Sequence, residues 1–173
     1  MGRLKIEYGI DLGTTNSAIA RIENGVSNIL EIDNNKTVPS VIVYDRKDNC
    51  KVGQQALNSK KSSFVEFKRD MGMKILTDFP SAKLQNGDLI TAEVLSSEVL
   101  KKLSERVIDE TFKSVVVTVP AMFEVGQIEA TKRAATMAGF EQVEILMEPV
   151  AAATSFAMQN IGKNGIWLIF DFG

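Results

Sequence analysis

Residues 8–17 read YGIDLGTTNS, and this stretch decides how the rest of the chain is interpreted. An apolar strand is predicted to lead to Asp11, and a second strand is predicted over residues 17–22, directly after a glycine turn. Gly13 lets the turn backbone approach a ligand without a Cβ in the way, while the turn amides and the hydroxyls of Thr14 and Thr15 suit an anion. The Asp11 carboxylate suits a hydrated magnesium ion, which prefers oxygen ligands. The stretch therefore predicts a phosphate-binding hairpin, with an ordinary hairpin that has a polar turn as the alternative.

This hairpin is neither a Walker loop nor a dinucleotide fingerprint, because both of those motifs need a helix after the glycines.

Composition excludes further classes of site. The 173 residues contain no histidine, which removes histidine-based triads and histidine metal sites, and the net charge of -2 argues against a nucleic-acid binder. Cys50 is the single cysteine, so no intramolecular disulfide is expected, and its polar surroundings suggest an incidental surface thiol in a loop. With no secretory signal and no membrane-spanning run in view, a cytoplasmic protein without a membrane partner is expected.

The first half of the chain predicts an antiparallel meander followed by an insertion. Strands are expected over residues 4–10, 17–22 and 26–32, and Asn24-Gly25 predicts a tight hairpin between the last two. Another strand-like run covers residues 37–44 and is interrupted by Pro39. The polar, irregular texture that follows suggests that residues 36–90 form an inserted small subdomain with a thin core.

The second half predicts alternating helices and strands. A helix from Thr91 to about Ile108 carries an apolar stripe, the β-branched run 114–119 is expected to be a strand buried on both faces, and a second helix covers about 124–138. A strand over 143–147, a helix over 148–160 and a last strand over 166–170 follow. The fold class is therefore α/β, with a five-stranded mixed sheet and helices on its faces. Residues 1–35 and 91–161 would form the main half-lobe, and residues 162–173 a strand surplus to it.

Motifs along nearly the whole chain resemble one family. The plan of apolar strand, aspartate, apolar residue and glycine at residues 9–13 recurs at 169–173 as IFDFG. Together with the motifs between them, these resemble the N-terminal lobe of the nucleotide-binding domain in the heat-shock protein 70 (DnaK-type) chaperone family, which has an actin-like, ribonuclease H-like ATPase fold. The matching stretches are residues 9–16, NKTVPS at 35–40, VGQQA at 52–56, FKRDMG at 67–72, VTVPAMF at 117–123, ATK at 130–132, EPVAAA at 148–153 and DFG at 171–173.

The resemblance implies a set of site residues. Asp11 and Asp171 would hold magnesium through water, Lys68 would lie by the γ-phosphate and the attacking water, and Glu148 would orient water. The phosphates of ATP or ADP would be held by Gly13, Thr14, Thr15 and Asn16. Without the resemblance, Lys68 would be read as a solvated side chain and Glu148 as a charge favoured at a helix N-terminus.

The resemblance also implies what the complete protein does. It would hydrolyse ATP to ADP and phosphate to drive the binding and release of unfolded or extended peptides, with a J-domain co-chaperone and a nucleotide exchange factor as partners. The second lobe that this family has after the DFG motif is not in the sequence. We therefore expect these 173 residues to bind ATP weakly or not at all and not to turn it over.

Several positions depart from the family pattern. The family usually has tyrosine at Met122, arginine at Ile128 and asparagine at Met147, and the insertion between Met71 and Thr91 is shorter than usual. A divergent member is therefore expected, and standard coupling between domains is in doubt. Two alternatives remain open, namely an actin-like or sugar-kinase-type ATPase lobe and a non-catalytic regulatory module of the same fold. The run 166–170 is expected to be disordered, folded back, or paired with an edge strand of another chain.

Overall fold

A computed structural model describes residues 6–59, 61–105, 107, 113–162 and 165–169. Its strands are β1 (Tyr8–Asp11), β2 (Asn16–Glu23), β3 (Val26–Ile29), β4 (Val38–Pro39), β5 (Ile42–Tyr44), β6 (Cys50–Val52), β7 (Ser114–Val119) and β8 (Gln142–Met147). Its helices are α1 (Gln54–Leu57), a 3-10 helix (Phe67–Asp70), α2 (Ala92–Ser104), α3 (Val125–Met137) and α4 (Glu148–Gln159).

The main sheet has the order β3-β2-β1-β7-β8, which confirms the predicted mixed sheet. The meander β1-β2-β3 is antiparallel, whereas β7 and β8 run parallel to β1. Asn24 and Gly25 both have positive φ, as a two-residue hairpin turn requires. The sequence did not predict that β4 would pair with β2 and add a short sixth strand. The start of the insertion is thereby attached to the main sheet.

The expectation that β7 is buried on both faces is wrong. Val115, Val117 and Val119 are fully buried, but the residues between them are only half-buried. Val115 and Val117 join a core with buried residues of α2 and α3, whereas α4 buries no residue and contributes none to that core. A β-branched apolar run therefore does not by itself show that both faces of a strand are covered.

Helix α2 begins as predicted and ends earlier than predicted. The Oγ1 atom of Thr91 accepts a hydrogen bond from the amide of Val94 at 3.3 Å, which caps the first turn. Leu95, Val99 and Leu103 of the apolar stripe are fully buried against the sheet. The helix ends at Ser104, and the predicted end at residue 108 lies outside the described residues, as do residues 4 and 5 of the first predicted strand.

The insertion has little core of its own. Val41, Val43 and Ala56 form a separate small cluster around the two-stranded sheet of β5 and β6. Other buried residues of the insertion, among them Ile42 and Phe67, belong to the main core. The insertion is therefore held largely by packing against the sheet and α2.

Cys50 corrects another expectation, because it lies in β6 and not in a surface loop. It pairs with Tyr44 across the small sheet and is half-buried. Burial, followed by the charge of Glu98, raises the pKa of the Cys50 thiol to about 12. The thiol therefore stays protonated near neutral pH.

The last described residues, 165–169, have no regular secondary structure. The Trp167 ring lies 4.8 Å from the Phe156 ring of α4, between ring centroids, while Ile166 and Leu168 are exposed. The rest of the predicted strand, Phe170, is outside the described residues. No helix in the described ranges is long and apolar enough to cross a bilayer.

Candidate phosphate-binding site

The turn between β1 and β2 is tight for a reason internal to the hairpin. A Cβ added at Gly13 would overlap the carbonyl oxygen of Asn16, so the glycine is needed for the close approach of the turn's own backbone. The Gly13 φ angle does not lie in the left-handed region. Its amide donates to Ser17 Oγ at 3.1 Å and is already used within the protein.

The next two amides of the turn differ from that of Gly13. Thr14 is half-buried and Thr15 is exposed, and neither their amides nor their hydroxyls have a hydrogen-bond partner within the described part of the chain. Unpaired turn amides in sequence are the donors of an anion-binding concavity. The donor capacity of the hairpin therefore lies at Thr14 and Thr15.

Asp11 stands at the end of β1, where its carboxylate is exposed. Thr118 lies opposite it in the parallel strand β7, and its Oγ1 donates to Asp11 Oδ1 at 3.0 Å. This bond fixes one carboxylate oxygen, while the other has no hydrogen-bond partner among the described residues and Asp11 is exposed. Sequence reasoning missed Thr118, although a single hydroxyl in the apolar run 115–119 was the available signal.

Lys68 and Glu148 form an ion pair across the molecule. Lys68 Nζ lies 2.7 Å from Glu148 Oε1, and the lysine is 5% exposed. The ammonium also lies 5.7 Å from the centroid of the Phe123 ring, within the range of a cation–π contact. The structure thus places the lysine in a pocket with a carboxylate and an aromatic face, and the solvated position that the residue type alone suggested is excluded.

The 3-10 helix around Lys68 is anchored on both sides. Phe67 is buried in the main core, and Met71, just after the helix, is also buried. Gly72 has a φ of +83°, and a Cβ there would lie 3.3 Å from the carbonyl oxygen of Gly126 in α3. The backbone approaches α3 closely because this position carries no side chain. The lysine is therefore presented by a short segment with packed neighbours.

Asp11 and the Lys68–Glu148 pair lie at the same edge of the sheet. The register sets Asp11, Thr118 and Leu146 in one row across β1, β7 and β8, so two strand spacings put the Asp11 and Leu146 Cα atoms roughly 10 Å apart. Glu148 follows two residues later at the start of α4. Asp171, the second expected magnesium carboxylate, lies outside the described residues. Across the described ranges, no three potential metal-ligating side chains cluster together.

The donor set fits a polyphosphate with hydrated magnesium. The amides and hydroxyls of Thr14 and Thr15 could donate to the anion, and the Asp11 carboxylate could accept from a metal-bound water. Three positions differ from the family pattern. Met122 is 92% exposed and Met147 is 45% exposed, whereas Ile128 is half-buried in α3. None of the three belongs to this donor set.

Comparison with known proteins identifies one family. The family model described as Hsp70 protein matches residues 7–173. The chain is 39% identical over 174 residues to the chaperone protein DnaK of Metamycoplasma hominis, covering 95% of this chain and 28% of the relative. It is 35% identical over 190 residues to the chaperone protein dnaK of Emiliania huxleyi, with 95% and 30% covered. The chaperone protein HscA homolog of Aliivibrio salmonicida is 35% identical over 194 residues, with 98% and 31% covered. The chain therefore spans about three tenths of the length of these curated relatives.

Proposed function

The chain belongs to the Hsp70 family, and from this membership we propose that it forms the phosphate-binding lobe of a chaperone ATPase. The observation that carries the proposal is the ion pair between Lys68 and Glu148. It brings the insertion and the start of α4 together next to the sheet edge at which Asp11 ends β1. Phosphoryl transfer depends mainly on positioning and on neutralising charge, so a lysine and two carboxylates at the edge of an anion-binding hairpin suit that reaction.

In this proposal the hairpin residues hold the phosphates of ATP and ADP. Thr14 and Thr15 donate from their free amides and hydroxyls, while Gly13 shapes the turn and Asn16 flanks it. Fixed donors of this kind need no reorganisation when charge develops on the transferred group. The expected role of Gly13 thereby changes from direct donor to a position required by the turn.

The other side chains act on the metal and the attacking water. Asp11, with Asp171 of the second motif, binds hydrated magnesium, which neutralises charge on the phosphate oxygens when it is bound. Lys68 lies by the γ-phosphate and the attacking water, and Glu148 orients water while it holds the lysine. The buried ion pair with Glu148 holds the lysine ammonium at the start of α4.

For the complete protein we propose the activity of its relatives, which are chaperones by name. ATP hydrolysis would drive the binding and release of unfolded or extended peptides, assisted by a J-domain co-chaperone and a nucleotide exchange factor, in the cytoplasm. Residues 1–35 and 91–161 would form the half-lobe, residues 36–90 the inserted subdomain, and residues 162–173 the start of the second lobe. Because the second lobe supplies further donors, the 173 residues alone would bind nucleotide weakly and not hydrolyse it. The segment with the exposed residues Ile166 and Leu168 would also self-associate through strand pairing.

A titration of the 15N-labelled chain with magnesium and ATP tests the proposal. The expected result is weak binding in the millimolar range, with the largest NMR shift changes at Thr14 and Thr15 and no release of phosphate. Adenosine is the control ligand and should leave the hairpin signals unmoved. Asp11→Asn should weaken the magnesium-dependent part of binding, whereas Asp33→Asn, on an exposed turn, should not. Absence of hairpin shifts would count against a phosphate site, and tight binding with turnover would overturn the expected weakness of the isolated lobe.

An assay of the chain extended through a second lobe separates the alternatives. Phosphate release that requires Lys68 supports the chaperone ATPase. Bound nucleotide without phosphate release would favour the non-catalytic regulatory module. Polymerisation with nucleotide would favour the actin-like ATPase lobe, and transfer of phosphate to a sugar would favour the sugar-kinase-type lobe.

A further inference from the structure

Two buried serines close a ring of hydrogen bonds on Gly13. The Gly13 amide donates to Ser17 Oγ at 3.1 Å, the Ser17 and Ser40 hydroxyl oxygens are 2.9 Å apart, and Ser40 Oγ donates to the Gly13 carbonyl at 2.8 Å. A carbonyl can only accept, so the single proton of Ser40 goes to Gly13. The bond between the serines must then be donated by Ser17. Every proton of the ring is thereby assigned, and both backbone polar groups of Gly13 are satisfied.

The ring is shielded from water. Ser17 is 1% exposed and Ser40 is 2% exposed, so water cannot take over the hydrogen bond of either hydroxyl. A buried polar group without a partner is costly, which makes the closed ring much more favourable than any opened form. The amide of Ser40 also donates to the Thr15 carbonyl at 2.8 Å. Ser40 therefore holds the carbonyls on both sides of Thr14.

We propose that Ser17 and Ser40 are positioning residues for the phosphate-binding hairpin, holding Gly13 so that the donors left free are the amides of Thr14 and Thr15. This inference rests on the proposed phosphate site for its functional meaning. Its geometric basis is independent of that site, because the ring removes the Gly13 amide from the donors available to a ligand and restrains the peptide planes on either side of that residue.

The ring also connects two parts of the chain. Ser17 belongs to β2, whereas Ser40 lies just after β4, at the start of the segment that leads to Lys68. Val38 and Pro39 pair with Ser17 and Asn16 in the same place. A displacement of the insertion would therefore strain the ring and change the hairpin donors, so the serines couple the position of the insertion to phosphate binding.

Amide hydrogen exchange of the 173-residue chain tests the geometry without any ligand. In the unmodified protein the Gly13 amide should be protected and those of Thr14 and Thr15 should exchange fast. Ser17→Ala and Ser40→Ala should each speed exchange at Gly13 by about tenfold, the equivalent of one buried hydrogen bond, while Val117 in β7 keeps its protection. Ser96→Ala is the matched control, since Ser96 is fully buried in α2 and its hydroxyl has no partner among the described residues.

Each outcome decides the proposal. Fast exchange of Gly13 in the unmodified chain overturns it even where an alanine variant fails to fold. An equal rise at Gly13 and Val117 would show a merely structural role and would also overturn it. A second measurement uses magnesium with inorganic tripolyphosphate, for which both serine variants should bind at least about threefold more weakly and Ser96→Ala unchanged. If the serine variants exchange faster only at Gly13 and bind tripolyphosphate as tightly as the unmodified chain, the positioning role is overturned. If tripolyphosphate does not bind the unmodified chain, the phosphate site itself fails, while the exchange pattern still decides whether the ring holds Gly13.

Discussion

Lys68 and Glu148 are 80 positions apart in the chain, yet their Nζ and Oε1 atoms are 2.7 Å apart. The pair is asymmetric, since the lysine side chain is 6% and the glutamate side chain 22% exposed. The glutamate can recover some hydration when its partner is removed, whereas the buried ammonium cannot. This difference in burial determines how the pair should respond to substitution.

Glu148→Gln should therefore cost more stability than Lys68→Met. We expect about 2 kcal/mol for the first, because the buried ammonium loses its carboxylate partner, and less for the second, because methionine fills the site without a charge. The double variant should have nearly the same free energy of unfolding as Lys68→Met alone. Urea unfolding of the unmodified protein, the two single variants and the double variant then gives a coupling energy of about 1–2 kcal/mol. The exposed pair Lys132–Glu129, at 2.9 Å, is the control and should show a coupling energy below about 0.5 kcal/mol. Additive effects at Lys68 and Glu148 would contradict this account.

Thr118→Val should impair the magnesium dependence of nucleotide binding. The substitution keeps the shape of the side chain and removes the bond to Asp11 Oδ1, so the carboxylate loses its orientation. We expect ATP affinity in the presence of magnesium to fall by about fivefold, the equivalent of about 1 kcal/mol, and affinity in EDTA to stay the same. Thr118→Ser retains the hydroxyl and should restore the magnesium effect. An equal loss with and without magnesium would point to a distorted hairpin instead.

Gly13→Ala should destabilise the protein far more than Gly9→Ala. The two glycines are close in sequence, but a Cβ at Gly13 meets the backbone of Asn16, whereas one at Gly9 meets nothing within 4 Å. We expect a loss of about 2–4 kcal/mol for the first, since backbone must shift, and a change within about 0.5 kcal/mol for the second. Thermal unfolding of both variants measures the difference. Similar unfolding temperatures for the two would refute the close approach in the turn.

Cys50 should resist alkylation at pH 8. Its pKa is raised from 9.0 to about 12 by burial first and by the charge of Glu98 second, and only the thiolate reacts. We expect its reaction with iodoacetamide to be about a hundredfold slower than that of the same chain in denaturant, which is the control. The folded state favours the protonated thiol, so the stability contributed by this group is complete below pH 9.0 and declines as the pH rises toward about 12. Equal rates in the folded and unfolded chain would show an accessible thiol.

Much of the fold follows from local patterns. The apolar stripe of Leu95, Val99 and Leu103 predicts α2 because its spacing matches the helical period, and Asn24-Gly25 predicts its turn because few other pairs accept positive φ. The local sequence pattern did not predict which side chains are buried. The run in β7 has valines on both faces, but only one face has a dense helical layer against it, and Cys50 has polar neighbours in sequence but an apolar side in space.

The site was predictable only in part. Asp11, Thr14 and Thr15 could be proposed from the hairpin itself, whereas Lys68 and Glu148 were assigned through the family resemblance. The pairing of Lys68 with Glu148 and the choice of Asp11 as the partner of Thr118 had no local signal, because each joins residues distant in sequence. The serine ring likewise depends on Ser40, which lies 23 positions after Ser17.

The sequence by itself determined the kind and order of the main elements, the hairpin at Asp11 and the family, because these depend on period, turn chemistry and residue identity along the chain. Only the tertiary structure decided which polar groups meet. It placed Lys68 against Glu148 and Thr118 against Asp11, and it used the Gly13 amide within the protein. The physical reason is that a hydrogen bond requires a narrow range of distance and angle, and for residues in different elements that geometry is set by the packing of the whole core.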